Sequence, residues 1–280
     1  MVNREPVIEI KNLTFTYPNN FTALKNINTT IYNGEFVGII GQNGAGKSTL
    51  LKNITGLLKP TKGDIIIDGV NTKEITVARL STKIGFVLQN PDRQLFAETV
   101  EKEVAFGPRN LKLSEDEIQA RVKESLAYVG LEHIRDKFPP ALSKGDRAKV
   151  IIASVLAMKP RLIILDEPTT GQDYRGCHQI MGIAKEFNKA GHTVLVVTHH
   201  MALVADYAER TIVFCEGEIL LDGSTREVFA QPQTLKKSFI IPPQITMVGS
   251  SLEKELGLQE ICLTVSELGD TVLNSSKNMA

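Results

Sequence analysis

The residues most suited to chemistry begin at Gly41, where GQNGAGKST runs to Thr49 with the spacing GxxxxGK[ST]. Glycines at 41, 44 and 46 let a loop curl with its N–H groups facing inward, where a phosphate can sit. Gly41, Asn43, Gly44, Ala45, Gly46, Lys47, Ser48 and Thr49 are therefore read as nucleotide-binding. Lys47 supplies a cation for the β- and γ-phosphates, and the Ser48 hydroxyl suits Mg²⁺. Downstream, RLIILDEP carries Asp166 to a strand end, where it can join the Mg²⁺ shell. Glu167 follows at once and can reach a water attacking the γ-phosphate. By itself such a pair also fits two solvated carboxylates; a phosphate loop upstream favours hydrolysis. His199 ends TVLVVTH. A neutral imidazole there can donate to developing phosphoryl charge, although a lone strand-end histidine carries no such message.

These groups need strands to aim them. EFVGIIG precedes the loop as a short continuous apolar run, as expected of a strand buried on both faces. GDIIIDG (63–69), KIGFVLQ (83–89), RLIILDEP (161–168) and TVLVVTH (193–199) share that pattern. Apolar strands alternating with helical stretches predict an α/β fold with a mostly parallel sheet. VIEIKNLTFTY alternates as a strand before Pro18-Asn19-Asn20, and a second strand over 23–31 ends at Asn33-Gly34, a hairpin signal. From about 90 to 160 the pattern turns helical, with Ile118, Val122, Leu126 and Val129 on one face and a capping box expected from Ser114 and Glu117. TIVFCEGEILLDG reads as a hairpin turning at Glu216-Gly217. Domain bounds are set at 1–235, with a 236–280 extension holding amphipathic pieces at Leu252/Leu256 and Val265/Leu268/Val272.

Composition narrows the class. The 280 residues are 42% hydrophobic and 23% charged, as in ordinary globular proteins. Lys+Arg and Asp+Glu both number 32, so a protein coating nucleic acid through global charge is not expected. Cys177, Cys215 and Cys262 have neither disulfide-framework nor zinc spacing and read as small hydrophobes in a reducing compartment. The opening MVNREPVIEI carries no secretion pattern, and no apolar run approaches the roughly twenty residues of a membrane helix.

Between phosphate loop and carboxylates lie Leu88-Gln89-Asn90-Pro91 and Leu142-Ser-Lys-Gly-Asp146; behind the carboxylates come Thr169-Thr-Gly-Gln-Asp173 and then His199. In this order the motifs resemble those of the ATP-binding cassette (ABC) family over about 7–229. The resemblance implies a P-loop ATPase domain with an antiparallel β subdomain and an inserted helical subdomain, working with ATP and Mg²⁺. It makes Tyr17 the ring that stacks on adenine and Gln89 a γ-phosphate sensor and Mg²⁺ ligand, beside Ser48 and Asp166. Ser143 and Gly145 would meet ATP held by a second chain, Asp173 would act in the dimer contact, and Lys47, Glu167 and His199 would be catalytic.

QNPDRQLFAETVEKEVAFGP (89–108) further resembles ATPases of energy-coupling-factor transporters and related cobalt and nickel importers. That similarity implies a second ATPase subunit, identical or paralogous, a transmembrane coupling protein docked near Gln94 to Phe106, and a substrate-binding membrane subunit. It places the chain peripherally on the cytoplasmic face of the cell membrane, with the extension as a dimerisation element. The cargo would be a vitamin or a transition-metal ion.

Four residues depart from the family pattern, one of them His200, which stands where an acidic residue is common and is read as having no metal role. Lys144 replaces a glycine, Asp146 replaces a glutamine, and Gln172 replaces a leucine. Asp146 puts a carboxylate near polyphosphate, unfavourable unless Lys144, Lys149 or Arg147 offsets it. A regulatory subunit of low activity therefore remains an alternative reading. A soluble ABC ATPase acting on DNA or ribosomes is another, although too few residues separate Lys47 from Ser143 for a long coiled coil.

Overall fold

The computed structural model describes residues 5–252 and 261–278. Alternating side chains make β1 (Pro6–Thr16) and β2 (Thr22–Tyr32) an antiparallel pair joined through Pro18-Asn19-Asn20. The chain then crosses to β3 (Phe36–Gly41), every residue of which is buried. Asn33-Gly34 is thus not a hairpin turn: β2 and β3 lie in different sheets. The phosphate loop leads into α1 (Lys47–Ile54), followed by β4 (Lys62–Ile67), β5 (Val70–Asn71), the single turn α2 (Val77–Leu80) and β6 (Ile84–Val87).

The GDIIIDG run was expected to resemble the parallel strands, and it does not. It becomes β4, paired antiparallel to β1 in a four-stranded sheet ordered β2-β1-β4-β5. Its Gly63, Asp64 and Ile66 are only half-buried, since one face lacks the cover that parallel strands need.

Between β6 and β7 (Leu162–Asp166) come α3 (Val100–Asn110), α4 (Glu115–Val129) and α5 (Lys144–Leu156). Ser114 caps α4 by accepting the Glu117 N–H, but the expected box is half-formed, because Glu117 bonds Arg121 instead. After β7 the chain alternates α6 (Tyr174–Lys189), β8 (Thr193–Val197), α7 (Met201–Tyr207) and β9 (Arg210–Cys215). The β9 strand turns back into β10 (Glu218–Ser224) through Glu216 and Gly217, both at positive φ, as the tightest hairpin turns require. The six-stranded core sheet runs β10-β9-β3-β8-β7-β6, parallel except at β10. The remaining described helices are α8 (Thr225–Phe229), α9 (Pro232–Leu235), α10 (Gln244–Ser251) and α11 (Val265–Asn278). Leu256, expected on an amphipathic piece, lies outside the described residues.

Two hydrophobic cores explain the continuous apolar strands. Phe36 and Ile40 of β3 face one core, with Ile163, Leu165, Val194 and Val196 and with Val104, Ile118, Val122 and Ile151 from the helices. Val37 and Ile39 face the other, with Ile164, Leu195, α1 and the antiparallel sheet. Successive residues of one strand thus feed opposite cores, each side chain contributing roughly 1.5–3 kcal/mol of burial. The strands that carry the candidate chemistry are thus buried between both cores.

Candidate functional site

Where β3 ends, the loop glycines take φ values of 153° (Gly41), 81° (Gly44) and 105° (Gly46), curling the chain into a cradle. At Gly46 more than torsion is at stake. A Cβ there would come within 2.7 Å of the Ala23 carbonyl oxygen. The β9–β10 turn buttresses the same loop: Gly217 N–H donates to Ala45 O at 3.1 Å.

Lys47 opens α1 with its ammonium buried, donating to Gly41 O at 2.6 Å and Gln42 O at 2.9 Å. An ammonium has three N–H groups, so one remains for a phosphate oxygen. Burial lowers the Lys47 pKa, and Glu167 and Asp166 oppose that by favouring the cation. Asp166, at the end of β7, is pushed the other way: burial raises its pKa, as does Glu167, while Lys47 and Lys52 lower it. Two carboxylates and a lysine thus share one poorly solvated site.

Glu167 sits in a left-handed turn at φ 50°, pinned by its N–H donating to Val197 O at 2.8 Å. Such a conformation costs a non-glycine residue of order 1–3 kcal/mol and persists where the surroundings enforce it. His199 Nδ1 lies 2.8 Å from Glu167 Oε2, an ion-pair distance, but off line for a hydrogen bond. Glu167 Oε2 and Thr170 Oγ1 are buried without a hydrogen-bond partner.

These groups line one cavity of about 340 Å³, within the range of small-ligand pockets. Asn43, Gly44, Gly46, Lys47, Ser48, Thr49, Gln89, Asp166, Glu167 and His199 all border it. Ala45 is buried in the loop behind it, and Gly41 enters through its carbonyl bond to Lys47. Tyr17 is not on the wall: its hydroxyl bonds Thr49 Oγ1 at 3.0 Å and its ring packs edge-on to Phe15. The exposed ring that does border the cavity is Phe21, which the spacing of the motifs gave no reason to select. The donors suit magnesium, a hydroxyl from Ser48, an amide oxygen from Gln89 and a carboxylate from Asp166. No group of three His, Cys, Asp or Glu side chains fit to hold a metal occurs among the described residues.

Ser143, Gly145 and Asp173 lie elsewhere, at the starts of α5 and α6. Asp173 caps α6, accepting Gly176 N–H at 2.7 Å. Two of the residues that depart from the family pattern make this corner: Lys144 lies with its ammonium against Gly171, and Gln172 packs on Gly145, where a Cβ would stand 3.1 Å from its Oε1.

A family model for ABC transporters matches residues 24–170. The chain belongs to the ABC transporter family. It is accordingly an ABC ATPase. The chain is 43% identical to the energy-coupling factor transporter ATP-binding protein EcfA2 of Clostridium perfringens, covering 97% of this chain and 99% of that one. Among solved structures it is similar to CbiO1 of Clostridium perfringens, part of the ABC transporter complex CbiONQ, with TM-score 0.78 and 37% identity over 91% of this chain and all of that one. It is also similar to the cassette MJ0796, solved as a dimer with ADP and Pi after hydrolysis, at TM-score 0.70 and 35% identity over 78% of this ABC ATPase and 99% of that chain. The chain spans 44% of the length of some other curated relatives. No helix among the described residues is long and apolar enough to cross a membrane.

Proposed function

We propose that this ABC ATPase powers an importer of the energy-coupling-factor type, coupling ATP binding and hydrolysis to uptake of a vitamin or a transition-metal ion. The observation that carries the chemistry is the convergence of Glu167, its Oε2 2.8 Å from His199 Nδ1, on the cavity that Lys47, Ser48, Gln89 and Asp166 also line. Lys47 holds the β- and γ-phosphates through its remaining N–H and its charge. Ser48, Gln89 and Asp166 would hold Mg²⁺, which when bound supplies positive charge beside the phosphates. Glu167 orients and deprotonates the attacking water. His199, once released from Glu167, donates to the γ-phosphate. Ser143 and Gly145 close over the ATP of a second ATPase, identical or paralogous, with Asp173 in the contact.

Membrane subunits dock on the segment between β6 and α3. Gln94 bonds Leu88 N–H and Phe86 O, and buried Glu103 accepts the Phe96 and Ala97 N–H groups at 3.0 and 2.8 Å. That bracing presents Phe96 and Phe106, 64% and 48% exposed, as an edge-to-face pair 4.7 Å apart. A transmembrane coupling protein seated there, with a substrate-binding partner, places the chain on the cytoplasmic face of the membrane. The region 236–280 serves dimerisation through exposed Phe239, Ile241 and Met247. Glu167→Gln, purified with its membrane partners, should bind ATP, accumulate as a closed dimer and turn over less than about 1% as fast, the size of effect expected for a lost catalytic group. Turnover at the parent rate would remove Glu167 from the chemistry.

A further inference from the structure

Ser143 stands immediately before α5, and its hydroxyl is used twice by one residue. It accepts the Asp146 N–H at 3.1 Å and donates to Asp146 Oδ2 at 2.8 Å. A carboxylate therefore occupies the positive end of a 13-residue helix, where an anion is stabilised by the unpaired N–H groups. Two of the neighbouring cations are directed elsewhere. Arg147 Nε lies 3.0 Å from Asp92 Oδ1, its Nη1 donates to Pro140 O, and Lys144 lies against Gly171.

We infer that Asp146 is a resident competitor for the Ser143 hydroxyl, an internal anion that the γ-phosphate of a partner-held ATP must displace before two ATPases can close. This rests on the head-to-tail closure proposed above. Two costs oppose closure. The hydroxyl proton must leave a carboxylate for a phosphate, exchanging one charge-assisted bond for another with little net gain. The displaced carboxylate then stays near a polyphosphate of the same sign. A neutral amide at this position would leave the α5 cap in place, since Ser143 Oγ accepts the backbone N–H of residue 146, but would remove the repulsion and weaken the hold on the hydroxyl. The departure from the family's glutamine thus sets how much ATP closure demands, leaving the phosphate loop and Glu167 untouched.

The test uses full-length chain carrying Glu167→Gln, with the membrane subunits and any sister ATPase that co-purify. ATP is titrated while closure is followed by cross-linking across the dimer. Adding Asp146→Asn should lower the ATP concentration for half-closure about tenfold, which is about 1.4 kcal/mol. Asp146→Gln should act in the same direction. With Ser143→Ala present, the Asp146→Asn gain should shrink below about threefold, because no hydroxyl is left to release. An unchanged or raised ATP requirement in both Asp146 variants overturns the competitor. So does a gain of equal size without the Ser143 hydroxyl. In either case the Glu167→Gln parent still closes and the functional reading stands. If that parent fails to close at any ATP concentration, the closure itself is refuted and the competitor with it. Asp146→Asn leaves the Ser143 cap on the backbone N–H of residue 146 intact, so folding does not confound the comparison.

Discussion

Replacing Glu103 separates the ATPase from its proposed docking surface. The side chain is 4% exposed on α3, and a single oxygen takes both the Phe96 and the Ala97 N–H. Hydrogen bonds to a charged acceptor contribute about 1.5–3 kcal/mol each, so Glu103→Ala removes about 3–6 kcal/mol of local restraint. Freeing the segment recovers backbone entropy of about 1–2 kcal/mol per residue. The net loss should therefore appear as local opening rather than global unfolding. Glu103→Gln keeps an oxygen able to serve both donors and should lose about 1–2 kcal/mol, the difference between charged and neutral acceptors. Native-state hydrogen exchange resolves this directly. The Phe96 and Ala97 amides should exchange about tenfold faster in the alanine variant, since about 1.4 kcal/mol is tenfold. Nucleotide affinity should be unchanged, because Glu103 is not on the cavity wall. ATPase activity coupled to the membrane partners should fall. If the two amides stay as protected in Glu103→Ala as in the parent, the carboxylate does not brace this loop and the reasoning fails.

Other consequences are as open to measurement. Gly46→Ala forces a side chain against Ala23 O at φ 105°, and calorimetry should show nucleotide binding reduced about five- to 150-fold, from strain of roughly 1–3 kcal/mol. Arg210 joins β9 to β10 and β2, bonding Asp222 at 2.7 and 2.8 Å, Thr30 O at 2.8 Å and Glu35 at 3.1 Å. Arg210→Met strands those partners and should cost about 3–5 kcal/mol in urea denaturation. Burial alone would raise the pKa of Glu267, but the Leu263 N–H and Arg226 outweigh it and the net shift is downward. A carboxyl lower in the folded state stabilises above its unfolded value of 4.5 and loses that contribution as pH falls through its depressed folded value. Exchange protection in α11 should thus decline below pH 4.5 while that of α5 holds.

What could be read from the sequence was local. The phosphate loop and the Asp166–Glu167 pair declare themselves because strand, turn and chemistry fall within a few adjacent residues. The β4 strand misled because apolar content reports burial but not the direction of the neighbouring strand, and a glycine at each end gave no sign of its antiparallel partner. Asn33-Gly34 misled for a related reason: a tight turn fixes local backbone and not which sheet the next strand joins. The bracing by Gln94 and Glu103 was out of reach, because each side chain bonds backbone groups whose proximity only the folded loop creates. Lys144 against Gly171 and Gln172 against Gly145 lie further still, on segments far apart in the chain. Taken singly they read as departures from a pattern; in space these two form a fitted corner.

The left-handed turn at Glu167 has an evolutionary corollary. Glycine or asparagine would relax the backbone there by about 1 kcal/mol. A population selected for heat resistance alone should drift toward those residues, gaining robustness as the molecular motor stalls. That a long acidic side chain sits in a geometry it disfavours records a pressure other than folding, written in one torsion angle.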